Sequence, residues 1–171
     1  MKTLIVIDMQ NDFVTGSLGT PEAVAIVPKV KEKVEEYRKR GDQIIFTRDT
    51  HFPGYLYTQE GKKLPVVHCV TGSPGWKVID ELGALEGECL NKHSFGYQHW
   101  WSGSFNAWPN EIEIVGVCTD ICVVTNALIL RSHFTESNIT VDASCCAGTT
   151  PENHKAALQI MKMCQIDVVG E

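Results

Sequence analysis

Short apolar runs alternate along the chain with segments in which apolar residues recur at helical spacing. Residues 4–7 form a continuous run of Leu, Ile and Val, which predicts a strand. In residues 27–40 the apolar positions recur every three or four residues, with Pro28 in the first turn and Gly41 just past the end, which predicts a helix. Further strands are predicted at residues 43–47, 88–92, 111–117, 139–141 and 166–169. Further helices are predicted at residues 78–82, at 122–134 and from Thr150 onward.

This alternation defines the expected fold class. Strands that are joined through helices need crossover connections, so they run parallel. The runs are almost entirely apolar, as in strands that are covered by helices on both faces. The chain has 171 residues and shows no repeat, low-complexity segment or linker. We therefore predict a single α/β domain over residues 1–171, a three-layer sandwich with a mostly parallel sheet of about six strands.

The composition narrows the classes of function. Apolar residues make up 43% and charged residues 21% of the chain, which excludes a disordered or coiled-coil protein. A net charge of −6 argues against binding to nucleic acid or to an anionic membrane. No run approaches the roughly 20 apolar residues of a membrane helix, and residues 4–7 are too short for a signal peptide. Seven cysteines, an odd number, indicate free thiols, and we expect a cytoplasmic protein.

Chemically active side chains stand at the carboxyl ends of the predicted strands. Asp8 follows the first strand and Asp49 the second. Lys92 ends the third strand, and Cys118 and Cys122 follow the fourth. Ligands of parallel α/β sheets bind just outside these ends. Each residue alone has an ordinary explanation, such as helix capping or burial, but together they predict one crevice that holds an acid, an amine and a thiol.

Such a group of side chains can carry out nucleophilic attack by a thiolate. A helix N-terminus and a nearby Lys92 would both favour the ionised form of Cys122. Asp8 would accept the thiol proton and return it to the leaving group. Backbone N–H groups around Cys118 and Cys122 would hold the developing oxyanion. Cys118 is a competing nucleophile, but its place before the helix favours a structural role.

A second set of polar residues lies in and beside a long segment rich in Gly and Pro, residues 50–76. A segment of this length without regular structure is usually functional. The set offers two carboxylates and two imidazoles, which suit Zn²⁺ or another divalent ion. These ligands come from Asp49, His51, Glu60 and His68. Their spacing alone is weak support, since a histidine in a loop is usually solvated.

Three segments resemble the motifs of the isochorismatase-like cysteine hydrolases. The opening motif of that family is similar to residues 6–13, which read Val-Ile-Asp-Met-Gln-Asn-Asp-Phe. Its nucleophile motif is similar to residues 116–123, which read Gly-Val-Cys-Thr-Asp-Ile-Cys-Val, and its lysine segment to residues 91–95. The resemblance covers nearly the whole chain in the right order. It implies a Rossmann-like parallel α/β sheet, a Cys–Asp–Lys triad, and a cis peptide before Cys118 that helps to form the oxyanion hole.

Within that family the chain resembles the nicotinamidase and pyrazinamidase branch. Asp49, His51 and His68 match the metal ligands of that branch. Glu60 matches a ligand that some of its members use. The isochorismatase branch generally lacks this site. The resemblance therefore implies one divalent ion per chain, with zinc as the first expectation.

The resemblance is less complete for the residues that would contact the substrate. Phe13 matches an aromatic residue that stacks on the substrate ring. Where the branch has a second stacking aromatic residue, this chain has Pro65. Trp76 or the Trp100–Trp101 pair could take its place, or these tryptophans could pack in the core or at an interface. The class of hydrolase is thus better defined than the substrate.

The function implied is hydrolysis of a small amide, with nicotinamide converted to nicotinate and ammonia through a thioester on Cys122. An isochorismatase, which cleaves an enol ether, is an alternative that would need neither the metal nor the cysteine. A phospho-acceptor signalling domain would explain Asp8, Asp49 and Lys92 but not the Cys122 segment. We expect a small-molecule substrate as the partner. The helix predicted at residues 122–134 is apolar on most sides, so it is either buried or lies at a contact between subunits of a homo-oligomer.

Overall fold

A single parallel sheet of six strands forms the centre of the computed structural model, which describes residues 2–83 and 88–171. The strands are β1 (Thr3–Ile7), β2 (Gln43–Asp49), β3 (Glu88–Lys92), β4 (Glu111–Val117), β5 (Asn138–Ala147) and β6 (Asp167–Val169). Their order across the sheet is β3-β2-β1-β4-β5-β6, and every neighbouring pair runs parallel. The predicted single-domain α/β class with a parallel sheet of about six strands is confirmed.

Helices cover both faces of the sheet. They are α1 (Asn11–Val14), α2 (Pro21–Arg40), α3 (Gln59–Lys63), α4 (Val124–His133) and α5 (Pro151–Met163). Two short 3₁₀ turns lie at Tyr55–Tyr57 and Asp80–Leu82, and a π-helical turn at Thr119–Val123 precedes α4. None of the described helices is long and apolar enough to cross a membrane.

Strand β1 shows why the apolar runs lack alternation. Leu4 and Val6 pack in the apolar cluster that includes α2, whereas Ile5 and Ile7 pack in the cluster that includes α4 and α5. All four side chains are fully buried. Because both faces of the strand meet a helix layer, every position along it is apolar.

Helix α2 begins earlier than the apolar spacing predicts. The Oγ1 of Thr20 accepts a hydrogen bond from the N–H of Ala23 at 3.0 Å and so caps the helix, with Pro21 in its first position. Pro28 therefore lies inside the helix and not in its first turn, which corrects the predicted start. The predicted end is confirmed, since Gly41 has a left-handed φ of 69°.

The helix predicted at residues 78–82 is only a 3₁₀ turn, Asp80–Leu82. The first residues of the predicted helix are not helical, because Val78 forms an isolated antiparallel bridge with Gln10. Likewise, the segment of residues 50–76 is not wholly irregular. It contains a 3₁₀ turn and α3, and His51 pairs with Val70 in a parallel bridge.

Strand β5 is longer than predicted from residues 139–141. It runs to Ala147 because its second half pairs with β4 beyond a bulge, where Gly116 lies opposite Cys146. The polar residues Asp142 and Ser144 interrupt the apolar run there, so the pattern alone ends the strand too early. The longer strand extends the sheet beside the turn that follows β4.

Helix α4 begins at Val124, two residues after the predicted start at Cys122. Its inner face packs on the sheet through Ala127 and Leu130, which are buried. Leu128 and Ile129 are half-buried on the same helix. A contact between two copies of the chain at this helix stays a prediction.

A cluster of charges ties α2 to the sheet. The Nζ of Lys33 lies 2.6 Å from Oε1 of Glu113 on β4 and 2.7 Å from Oδ2 of Asp142 on β5. Burial by itself would raise the pKa of Asp142, but hydrogen bonds from Lys33 and Ser144 outweigh it and hold that pKa below its ordinary value of 3.8. The carboxylate form is thus the one that stabilises the folded state.

We expect Lys33→Met to lower the free energy of unfolding by about 2 kcal/mol, since two carboxylates lose a charged donor. A group with a lowered pKa contributes stability above its unfolded pKa and loses it as the pH falls through the folded pKa. The difference from wild type should therefore be largest above about pH 4 and shrink in acid. Urea unfolding at several pH values measures it. Lys29→Met, at an exposed position of the same helix, is the control, and an equal effect there would contradict the prediction.

Candidate active site

Asp8 directly follows β1 and is fully buried. Its backbone has a positive φ of 49°, which turns the chain sharply as it leaves the sheet. The hydroxyl of Thr47 donates to its Oδ1 at 2.7 Å, and its Oδ2 lies 2.7 Å from Nζ of Lys92. Burial raises the pKa of Asp8, while the positive charge of Lys92 opposes that rise. The carboxylate is therefore a stronger base than an exposed one.

Lys92 is the centre of the predicted group. Its ammonium is buried and lies 3.2 Å from Oδ1 of Asp49 and 3.4 Å from Sγ of Cys122, in addition to its contact with Asp8. Its fourth partner is the carbonyl oxygen of Ser94, at 3.2 Å. Burial alone would lower the pKa of Lys92, but the surrounding negative groups raise it well above its ordinary value. Lys92 thus stays positively charged between three side chains from different parts of the sheet.

Cys122 lies in the π-helical turn between β4 and α4 and is only 4% exposed. This turn reaches Asp8 because β4 passes β1 very closely at Gly116, where a Cβ would lie 2.1 Å from the carbonyl oxygen of Ile7. Gly116 also has a φ of 119°, so only glycine suits the position. The cis peptide that the family resemblance implies is present between Val117 and Cys118.

The pKa of Cys122 is raised, whereas a helix N-terminus and a nearby lysine by themselves would lower it. Burial raises the pKa of Cys122 well above its ordinary value; Lys92 opposes this, whereas Asp8 and Asp49 add to it. Desolvation and the two carboxylates together outweigh the single positive neighbour. Burial also raises the pKa of Cys118, to about 12.

The four predicted metal ligands converge. Their ligand atoms, one each from Asp49, His51, Glu60 and His68, all lie within 4.8 Å of one another. The Nε2 atoms of the two histidines lie 2.9 Å and 3.5 Å from Oδ2 of Asp49, and 3.7 Å and 3.9 Å from Oε1 of Glu60. Asp49 ends β2, and Glu60 projects from α3, a helix that the loop composition did not predict.

The protonation states of the cluster suit a cation. Nδ1 of His68 lies 2.7 Å from the carbonyl oxygen of Val66. A carbonyl only accepts, so Nδ1 carries the hydrogen and Nε2 faces the cluster. Nε2 of His51 is buried and has no hydrogen-bond partner of suitable geometry within residues 2–83 and 88–171. Contacts from both histidines and Lys92 outweigh burial and hold the pKa of Asp49 below its ordinary value, so Asp49 is a carboxylate. A buried imidazole nitrogen that faces two acids without a well-aligned hydrogen bond fits a divalent ion.

Two residues of the opening motif hold this cluster in place, and the sequence analysis gave them no role. Gln10 is fully buried, accepts from the N–H of Asp49 at 2.7 Å and donates to its carbonyl oxygen at 2.9 Å. Asp12 accepts from the N–H of Cys69, next to His68, at 2.7 Å. Polar side chains at alternate positions after a buried strand were the signal that could have revealed them.

A cavity of about 310 Å³ lies between the cysteine and the metal cluster. Phe13, predicted to contact the substrate, lines it together with Cys118 and Cys122. Most of the cavity's lining surface is apolar, and several polar side chains interrupt it. The remaining walls come from Leu18, Thr20, Asp49, Glu60, Leu64, His68, Phe95, Ile121 and Thr149.

Of the described residues that line this cavity, none is Trp76, Trp100 or Trp101, so these tryptophans do not replace the missing aromatic residue. Trp100 is fully buried in the core. Trp76 donates to Oγ1 of Thr50 at 2.8 Å, and its ring lies under the guanidinium of Arg48. Packing is therefore the role of these two indoles, and the further aromatic wall of the cavity is Phe95.

The chain belongs to the isochorismatase family. The family model described as "Isochorismatase domain" matches residues 2–170, almost the whole chain. This agrees with the opening, lysine and nucleophile segments that carried the resemblance. It favours the cysteine hydrolases over a phospho-acceptor domain.

Individual relatives lie in the predicted branch. The nicotinamidase of Saccharomyces cerevisiae is 25% identical over 220 residues and is matched over 100% of both chains. The nicotinamidase/pyrazinamidase of Mycobacterium tuberculosis is 25% identical over 186 residues, covering 99% of this chain and 98% of the relative. A solved structure of the pyrazinamidase of Pyrococcus horikoshii in complex with zinc superposes with a TM-score of 0.82 at 27% identity, covering 99% of each chain. The predicted family and branch are confirmed.

Proposed function

We propose that this protein is a cysteine amidohydrolase that acts on a small amide, with nicotinamide as the first expected substrate. One observation carries the proposal. Sγ of Cys122 lies 3.4 Å from Nζ of Lys92, which itself lies 2.7 Å from Asp8. Cys122 lines the cavity, and so do Asp49, Glu60 and His68, three of the four residues of the proposed metal cluster. The nicotinamidase and pyrazinamidase relatives support the choice of substrate class.

The reaction begins with transfer of the Sγ proton from Cys122 to Asp8, whose raised pKa makes it a suitable base. Lys92 stabilises the thiolate that results. The thiolate forms a bond to the amide carbon, and the carbonyl oxygen takes up the electron pair. Backbone N–H groups of the Cys118–Cys122 turn hold that oxyanion.

Breakdown of this intermediate expels the amine, which takes the proton from Asp8 and leaves as ammonia. A thioester to Cys122 remains. Asp8 then accepts a proton from water, and the hydroxide attacks the thioester carbon. The C–S bond breaks, Cys122 regains a proton and the carboxylic acid is released. Atoms and charges thus balance over the two halves of the reaction.

A divalent ion held by Asp49, His51, Glu60 and His68 would supply a Lewis acid that anchors a substrate nitrogen or orients a water. Zinc is the first expectation because the ligands are two imidazoles and two carboxylates. The zinc complex of the Pyrococcus horikoshii relative supports that choice. The chain's own part is to present the two carboxylates and the two Nε2 atoms to one point.

Ammonia release across a panel of small amides tests the function. The panel contains nicotinamide, pyrazinamide, benzamide and an N-carbamoyl amine, each assayed with and without chelator. We expect a signal from nicotinamide or pyrazinamide. Release from none of them by zinc-loaded enzyme, together with cleavage of isochorismate, would show the alternative of an isochorismatase. In that case loss of Asp49 or His51 should be harmless.

Metal content is expected to be close to one divalent ion per chain in protein purified without chelator. His51→Ala should lose the ion, because it removes one of the two imidazole ligands. Loss of a residue that only hydrogen-bonds to a metal ligand lowers activity roughly tenfold to hundredfold, so loss of the ligand itself should lower activity by more. Elemental analysis and the ammonia assay measure both. Binding should also weaken below about pH 6, where imidazole becomes protonated.

His133→Ala provides the control, since His133, the last residue of α4, contacts Trp101 and is not one of the cluster residues. It should keep both the ion and the activity. Full amidase activity in a metal-free preparation would contradict the role of the ion.

A further inference from the structure

Side chains of α4 donate hydrogen bonds to backbone carbonyls of the π-helical turn that carries Cys122. Within Thr119–Val123 the hydrogen bonds reach back five residues instead of four, as from the N–H of Val123 to the carbonyl oxygen of Cys118 at 3.0 Å. The carbonyl oxygen of Cys122 accepts from Nδ2 of Asn126 at 2.7 Å. The geometry of the nucleophile's own peptide therefore depends on a side chain one turn further along.

Asn126 is fully buried and uses its whole hydrogen-bonding capacity. Besides Cys122, Nδ2 donates to the carbonyl oxygen of Phe95 at 3.1 Å. Oδ1 accepts from the N–H of Tyr97 at 2.9 Å and from the indole N–H of Trp100 at 3.0 Å. An amide offers two donor hydrogens and two lone pairs, so all four are used. Since carbonyls only accept and N–H groups only donate, the orientation of this amide is determined.

These four bonds join two walls of the same cavity. Cys122 lies on one side of it, and Phe95 lines another. Phe95 is 45% exposed, so packing alone holds it weakly. The bond to its carbonyl oxygen, together with those to Tyr97 and Trp100, fastens its segment to α4. A shift of that segment would change the cavity's shape and the direction of the thiol at the same time.

We propose that Asn126 is a positioning residue that sets the distance between the nucleophile turn and the Phe95 wall, and thereby the fit of the substrate's acyl group. The proposal rests on the proposed function insofar as Cys122 is the nucleophile. It goes beyond it by assigning a determinant of substrate fit that touches neither the substrate nor the metal cluster. It also explains why the aromatic segment after β3 contains a fully buried Trp100, which supplies one of the four bonds.

The test compares two substitutions on one helix. Asn126→Asp keeps the shape and both acceptor positions but replaces the two donor hydrogens with a carboxylate oxygen facing two carbonyls. Arg131→Met removes bonds to the carbonyl oxygens of Phe134, Thr135 and Ser137 at the far end of α4. Both should lower the unfolding midpoint, whereas only the first should change the chemistry.

For Asn126→Asp we expect kcat/KM to fall roughly tenfold to hundredfold, as displacement by about 1 Å does, with a raised KM. The rate of Cys122 alkylation by iodoacetamide, followed by peptide mass spectrometry, should also change. Arg131→Met should keep wild-type values of all three. If Asn126→Asp loses stability as Arg131→Met does but keeps wild-type kinetics and alkylation, the residue is merely structural and the proposal is overturned.

A second variant covers the case in which Asn126→Asp does not fold. A Cβ at Gly96 would lie 2.4 Å from Cδ1 of Ile129 and 2.8 Å from Cγ2 of Thr125, so Gly96→Ala pushes the same segment away from α4 with Asn126 intact. A raised KM supports the proposal, and an unchanged KM contradicts it. Should wild-type protein hydrolyse no amide, the proposed function fails, but alkylation of Cys122 in these variants still decides the role of Asn126.

Discussion

Cys122→Ala is expected to lower amide hydrolysis by at least about a thousandfold, because it removes the thiol that lies beside Lys92 and is proposed to form the thioester. The fold should persist, since the change removes one sulfur atom from the edge of a cavity. Circular dichroism and the urea midpoint check the fold, and single-turnover ammonia release checks the activity. Mass spectrometry of wild-type enzyme with a slow amide should show the acyl group on the peptide that contains Cys122.

Cys118→Ala is the matched control. Cys118 lines the same cavity and follows the same strand, but the contacts of Nζ of Lys92 are with Cys122, Asp8, Asp49 and Ser94. It should lose far less activity, because its backbone N–H and not its thiol is proposed to take part. An inactive Cys118→Ala beside an active Cys122→Ala would reverse the assignment of the nucleophile.

Asp8→Asn and Lys92→Met should each reduce hydrolysis on the order of a thousandfold, and the double variant should be little worse than either. The reason is that the base, the ammonium and the thiol act in one proton transfer. Their effects on the thiol should nevertheless be opposite. Lys92 lowers the pKa of Cys122 and Asp8 raises it, so the pH midpoint of alkylation should rise in Lys92→Met and fall in Asp8→Asn.

Lys33→Met is the control for Lys92→Met, because it also removes an ammonium group, in this case a partly buried one, but Lys33 lies outside the candidate active site. It removes two ion pairs on the α2 side of the sheet and should leave hydrolysis and alkylation unchanged. Small and additive losses in Asp8→Asn and Lys92→Met, similar to that control, would remove both residues from the reaction.

The strands and their direction could be predicted from the sequence because burial on both faces leaves a strong signal. Residues 4–7 are apolar throughout and lie within β1, and β4 ends in the apolar run Ile-Val-Gly-Val at residues 114–117. The ends of elements depended on contacts that no local pattern shows. Capped by Thr20, α2 begins at Pro21, six residues before the predicted start at residue 27. Strand β5 continues past Asp142 because β4 pairs with it across a bulge.

The candidate site could be predicted where residue type and strand position coincide, as for Asp8, Lys92 and Cys122. The residues that support the site could not be predicted, because they act by hydrogen bonding to backbone groups that are distant in sequence. Gln10 holds the backbone of Asp49, and Asn126 joins segments that are about 30 residues apart. The raised pKa of Cys122 could not be predicted either, since desolvation depends on how completely the fold closes around the thiol.

Because of the strand order, the candidate active site forms only when the strands that carry its residues have paired. Asp8 follows β1, a central strand of the sheet, and Lys92 ends β3, which is an edge strand. Cys122 follows β4, which pairs with β1 on the side opposite to β2. Four neighbouring strands must dock before the three groups meet, and each parallel pairing closes a long loop of chain. No fragment ending before residue 122 carries all three groups. Recovery of activity during refolding therefore requires that β3 and β4 have docked on either side of the β1–β2 pair. We expect activity to return after, and not before, the central strand is buried.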